Sequence, residues 1–219
     1  MAGDKRSSPW RVLVPLLVVG GLFAFLYGMV WHEWGVKNIV FPKNFDVVEE
    51  GAIYRSGQIH RMLIEDLLED HGIDVIIDLA SDPDDENEKA EIEAAKAAGV
   101  RHETFPLTGH GTGDIEMYAQ ALRTLHEARE EGKQVLLHCH GGSERTGGAI
   151  AFYRVYVQGW APDDAVREML EHSHRPKKNP RLLPYMNAHA VELADRLKAL
   201  GVIEKTPQRV PYFRVPRDK

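Results

Sequence analysis

Residues 136–148 read LLHCHGGSERTGG and hold a thiol, two imidazoles, paired glycines, a carboxylate and a guanidinium in one short stretch. The thiol, Cys139, belongs to the one cysteine of the chain. It has no partner for an internal disulfide, which leaves a buried inert thiol, a metal ligand or a reactive thiolate. Gly141 and Gly142 permit backbone turns that other residues resist. Placed between a strand and a helix N-terminus, the successive N–H groups of this loop can face inward as an anion-binding nest, reinforced by the helix dipole. Arg145 adds a planar fork able to hold two oxygens of a phosphate or sulfate. The same field lowers a thiol from its ordinary value of about 8.5 by several units. The sulfur would then face a bound phosphorus as a thiolate, placed for in-line attack.

The elements that must position this loop follow from the apolar periodicity. QVLLHC is a strand, HGGSE the loop, and a helix starts near Arg145. GAIYRSG predicts a short strand and turn, DVIIDLA a strand buried on both faces, and VRHETFPL another strand. Between them, HRMLIEDLLEDHG places Met62, Leu63, Leu67 and Leu68 on one helix face. The acidic SDPDDENE opens a helix running to Ala98 and stopping at Gly99, with Asp82 as its cap and Pro83 at its first position. A calcium loop lacks support there, because the mid-loop glycine and the closing glutamate are missing. The flexible, glycine-rich TGHGTGD leads into a helix with Ile115, Ala119, Leu122 and Leu125 on one face. PDDAVREMLEHSH and LLPYMNAHAVELADRLKALG give two more helices before an extended, proline-punctuated basic tail. Alternating strands and helices imply an α/β fold, a central, mostly parallel sheet flanked by helices, with ligands at the carboxyl ends of its strands.

The chain has 219 residues, is 43% hydrophobic and 27% charged, and carries a formal net charge of −6. A mildly acidic balance gives no general attraction to a phosphate backbone, so nucleic acid is not an expected partner. Residues 12–30 contain no charge and approach the length of a bilayer core. Trp10, Trp31 and Trp34 flank them, and no A-x-A-like cleavage site follows. The expectation is one transmembrane helix preceding the α/β domain. Lys5, Arg6 and Arg11 precede the span, whereas Lys37 and Lys43 lie further off and are diluted by Glu33 and Asp46. This keeps the N-terminus cytoplasmic and the remaining chain outside the cytoplasm, in the periplasm of a Gram-negative source. The expected division is a tail at 1–11, an anchor at 12–34, a juxtamembrane linker at 35–46, the α/β domain at 47–203 and the basic tail at 204–219.

His138-Cys139-x-x-Gly142-x-x-Arg145-Thr146 resembles the signature of the cysteine-based protein tyrosine phosphatase superfamily: His-Cys, five residues, Arg, then Ser or Thr. GAIYRSGQ, VIIDLA, the strand ending in FPL, and HCHGGSERTGGAIAFYRVYVQGW are similar, in the same order, to segments of its atypical dual-specificity branch. The resemblance spans about residues 45 to 175 and implies a dual-specificity phosphatase-like fold. It implies that Cys139 is the nucleophile of a thiophosphoryl intermediate. Arg145 would bind phosphate and stabilise the transition state, and Thr146 would help the thiolate leave. His138 would orient the loop from behind, and His140, Gly141, Gly142, Ser143 and Glu144 would complete the cradle. Asp114, the first acidic residue after FPL, is the implied general acid, although it lies nearer the cysteine than is usual in the family. It could equally cap the helix starting at Ile115. The resemblance implies no metal and no other cofactor.

The expected activity is a membrane-anchored phosphatase acting on phosphotyrosine, and on phosphoserine or phosphothreonine, in proteins. Phosphoinositides or inositol polyphosphates are the alternative, supported by the cationic run HSHRPKKNPR. The cradle, however, lacks lysine, and an inward Glu144 would repel a second phosphate. A catalytically silent phosphate-binding module would normally have lost the cysteine or the arginine. A sulfurtransferase would lack the His-Cys start and Arg-Thr end. Metal binding by His138, Cys139 and His140, with His172 and His174 as another pair, is opposed by the pleat, which sends neighbouring strand residues to opposite faces.

Overall fold

The computed structural model describes residues 10–32 and 36–216. The chain divides into two compact units, Met1–Phe41 and Pro42–Lys219. The first holds helices α1 (Trp10–His32) and α2 (Val36–Val40). Among the described residues no helix is long and apolar enough to cross a membrane. The expected anchor at 12–34 is corrected accordingly. The membrane as a partner, the cytoplasmic N-terminus and the extracytoplasmic or periplasmic placement fall with it. Lys5, Arg6, Glu33 and Trp34, most of the 1–11 tail, and the last residues of the 204–219 tail lie outside the described residues.

The second unit is an α/β domain. Its sheet contains β1 (Asp46–Glu49), β2 (Ile53–Ser56), β3 (Val75–Asp78), β4 (Arg101–Thr104) and β5 (Val135–His138), in the order β1-β2-β5-β3-β4. β1 runs antiparallel to β2, and the remaining pairings are parallel, so the sheet is mixed. β1 falls at the edge of the stretch expected to be a linker.

Each strand pleat sends alternate residues to opposite layers. Tyr54, Ile76 and Leu136 pack under α3 (Ile64–Asp70) and α4 (Glu86–Ala98). Ile53, Val75, Ile77, Val135 and Leu137 pack under α5 (Ile115–Glu130), α6 (Glu144–Tyr156), α7 (Pro162–Glu171), α8 (Leu182–Ala188) and α9 (Ala190–Ala199). The chain steps outward from β2 to β3 to β4 beneath α3 and α4, then returns by α5 to insert β5 between β2 and β3. Helices therefore leave β3 and β5 towards opposite faces, and a crevice opens at the carboxyl end of β5.

Local details differ from expectation. The cap of α4 is Asp85, whose side chain accepts from the N–H groups of Asn87 and Glu88; Asp82 and Pro83 lie in the preceding turn. α3 starts at Ile64, and Met62 is exposed. The final long helix breaks at His189 into α8 and α9.

Candidate active site

β5 is the middle strand, and its last residue, His138, stands in register with Ser56 of β2 and Asp78 of β3. Cys139 follows, buried and packed with the α5/α6 layer. Residues 140–143 turn, and α6 begins at Glu144, one residue earlier than expected.

The direction of the peptide groups in this turn can be deduced from what holds their oxygens. The His140 carbonyl accepts from Lys43 Nζ at 3.1 Å and from the Gln58 N–H at 3.2 Å. The Gly141 carbonyl accepts from Asn44 Nδ2 at 2.7 Å, and the Gly142 carbonyl from Arg55 Nη2 at 2.8 Å. In a trans peptide the C=O and the next N–H point in opposite directions. Three carbonyls tied outward thus turn the N–H groups of Gly141, Gly142 and Ser143 inward. The Gly142 N–H accordingly donates to Cys139 Sγ at 3.2 Å.

Burial pushes the Cys139 thiol up, but the charge of Arg145 and hydrogen bonds from the Thr146 hydroxyl and the Thr146 and Gly142 N–H groups outweigh it, leaving the thiol below its ordinary range. Arg145 is half-buried; its Nη1 faces the carbonyls of Leu79 at 3.5 Å and Leu107 at 3.4 Å, which follow β3 and β4 and aim the fork.

Gly142 has φ +72°, and a Cβ built there would lie 2.5 Å from the Gly57 nitrogen and 2.7 Å from the Ser56 carbonyl carbon. The loop is thus wedged against the turn after β2. Gly142→Ala is expected to cost at least about 2 kcal/mol of stability, or to push the loop out of shape. Thermal unfolding with and without inorganic phosphate checks this: a lower midpoint and loss of the phosphate-induced rise are the expected result.

Asp114 caps α5, accepting from the Glu116 N–H at 2.9 Å, and is exposed. Its loop, expected to be flexible, is tied down. Gly111 O accepts from Tyr118 Oη, His110 O from Asn179 Nδ2, and Gly113 O from Tyr185 Oη. Glu144 turns to His174 Nδ1, and the His140 side chain is exposed. His138 is wholly buried and lies 3.0 Å from Glu91 and 3.8 Å from Asp78.

Pleat parity separates His138, on the α4 side, from Cys139, on the α6 side, so the contiguous His-Cys-His triplet does not gather. Among the described residues a different set, Glu91, His102 and His138, places its ligand atoms within 4.8 Å of one another. Sequence reasoning missed Lys43, Asn44, Arg55, Gln58 and Glu91. The one sequence signal for them was the position of Arg55 and Gln58 within the segment GAIYRSGQ.

Residues 56–159 match the family model described as "Polymorphic toxin system, DSP-PTPase phosphatase". The dual specificity protein phosphatase TpbA of Pseudomonas aeruginosa is 42% identical over 72 residues, covering 33% of this chain and 32% of the relative. The matched stretch therefore spans about a third of that relative's length. The crystal structure of P. aeruginosa TpbA superposes with a TM-score of 0.58 at 25% identity, covering 73% of this chain and 91% of that one. The Siw14 catalytic core gives 0.59 at 19% identity, covering 73% and 92%, a likeness of fold. A cysteine-arginine loop stands at the crevice of this sheet, and across the residues that build it, 56–159, the chain is similar to the dual-specificity members of the cysteine-based protein tyrosine phosphatase superfamily.

Proposed function

We propose that this chain is a cysteine-dependent phosphatase that hydrolyses phosphate monoesters through a thiophosphoryl-enzyme intermediate. Its first substrate is phosphotyrosine on proteins, with phosphoserine and phosphothreonine as further ones. One observation carries the reading: a sulfur held below its ordinary thiol range beside a guanidinium, in a loop whose carbonyls are pulled away from it. The inward N–H groups and Arg145 hold the phosphate oxygens, and they meet the charge that grows as the ester oxygen departs. Cys139 Sγ forms the bond to phosphorus as the bond to the ester oxygen breaks, and Asp114 gives that oxygen its proton. Water then attacks phosphorus and returns a proton to the Asp114 carboxylate as the S–P bond breaks and phosphate leaves, and the Thr146 hydroxyl steadies the returning thiolate. His138 positions the loop from behind.

The substrate choice is supported by the dual-specificity relative TpbA and by a solved TpbA complex with pTyr. It is also supported by the absence of lysine from residues 140–145, which read HGGSER. A second reading, a phosphoinositide or inositol polyphosphate, draws on Arg175, Lys177 and Lys178. These line a cavity of about 480 Å³. PTPMT1 in complex with PI(5)P shares the fold.

The purified full chain, assayed with chelator present, is expected to turn over a phosphotyrosine peptide faster than an inositol polyphosphate. The reverse order would favour the second reading. Phosphate binding without turnover of either would leave a silent module. For the acid role, Asp114→Asn is expected to slow an alkyl phosphate about 10²-fold and p-nitrophenyl phosphate only a few-fold, since a good leaving group needs no proton. Equal losses would remove Asp114 from that role.

A further inference from the structure

Behind the loop lies a buried carboxylate that the reaction above does not use. Glu91 is fully buried on the sheet-facing side of α4, where an unpaired charge would be costly. Its Oε1 stands 3.0 Å from His138 Nε2 and 3.0 Å from His102 Nε2. Its Oε2 accepts from Gln58 Nε2 at 3.2 Å, and the N–H of Gln58 itself donates to the His140 carbonyl. Pleat parity explains the meeting: His138 lies on the face of Leu136, and His102, paired with Ile76, lies on that same face under α4. The carboxylate is thus linked to both neighbours of Cys139, to His138 directly and to His140 through Gln58. A zinc ion with bonds of about 2.0–2.1 Å spaces its ligands about 3.3 Å apart, wider than these 3.0 Å contacts, which are those of ion pairs.

We propose that Glu91 is a positioning residue for the phosphatase reaction, its carboxylate fixing His138 as an imidazolium behind Cys139 and so setting the charge on the nucleophile. Burial alone would push His138 down, yet Glu91, with Asp78 and Cys139, brings it up to about 9. Burial pushes Glu91 up, and His138 and His102 bring it down to about 2. The other groups facing this chain of charges are Asp78 of β3 on the far side of the ring, Arg55 of β2 and, across the sulfur, Arg145 and Thr146 of α6. When Glu91 loses its charge, His138 releases its proton near neutrality and the thiolate loses a positive neighbour. The negative charge removed stands one side chain further from the sulfur. The net effect is a rise in the thiol pKa.

The inference rests on Cys139 acting as a thiolate. Its test, alkylation by iodoacetamide as a function of pH, needs no phosphate ester, so it fails separately from the phosphatase reading. In the full chain Glu91→Gln, a change of nearly equal volume, is expected to move the alkylation midpoint up by about one pH unit. That is a tenfold drop in alkylation rate, and in kcat/KM, below the midpoint, with recovery above it. Added to His138→Gln, it should move the midpoint no further. A uniform loss at every pH with the midpoint unmoved would overturn the proposal, because a purely structural role predicts that pattern. Should Glu91→Gln fail to fold, histidine NMR on the unaltered chain decides the matter: His138 is expected to keep both ring protons through pH 8, and titration near 6.5 overturns the proposal.

Discussion

Replacing Cys139 by serine is expected to abolish turnover, by at least about 10⁴-fold, while phosphate stays bound. A hydroxyl in this loop remains protonated at neutral pH, so the attacking electron pair is lost, and removal of a nucleophile elsewhere costs losses of this order or greater. The cradle does not depend on the sulfur. Its carbonyls are held by Lys43, Asn44, Gln58 and Arg55, and its N–H groups stay turned inward. Removing a buried negative charge also relieves repulsion against an incoming phosphate. Calorimetry with inorganic phosphate should therefore show affinity equal to or better than that of the parent chain. More than about 1% residual turnover in Cys139→Ser would place the nucleophile elsewhere.

Arg145→Lys carries the second large effect. The charge is kept, but one ammonium replaces a fork that can hold two oxygens at once. The Leu79 and Leu107 carbonyls that aim Nη1 cannot orient a point charge in the same way. The expected loss is about 10²–10³-fold in kcat, with a smaller change in KM, because the fork matters most as the phosphoryl group flattens in the transition state. The charge that lowers the thiol survives, so the alkylation midpoint should move by only a few tenths of a pH unit. A fall in kcat with an unchanged thiol isolates the fork from the field. If both stay at parental values, Arg145 has no part in catalysis.

The signature loop was legible because it is a local object. A buried strand, two glycines and a helix start lie consecutively from Val135 to Thr146, and their chemistry needs no distant partner to be recognised. The Asp114 cap was legible for the same reason, since it bonds to Glu116, two residues on. The capping pair of α4 was misjudged: Asp82 and Asp85 both stand ahead of an acidic helix start, and backbone geometry alone chose Asp85. Met62 belongs to the apolar pattern of HRMLIEDLLEDHG but precedes the first turn, so it faces solvent. The uncharged run at 12–30 suggested a membrane span by composition, and the described residues contain no helix that meets that requirement.

The sequence by itself determined the loop that joins Cys139 to Arg145, the strand and helix that flank it and the alternation of strands and helices, because each is encoded in neighbouring residues. Tertiary structure alone decided what stands around them. Inserting β5 between β2 and β3 brings Arg55 under Gly142 and Glu91 against His138. The same fold brings Lys43 and Asn44 to carbonyls 97 positions along the chain. Such contacts depend on strand order and pleat parity, which local periodicity does not contain. The sulfur can be found by reading along the chain, but the groups that set its charge converge on it only in the folded sheet.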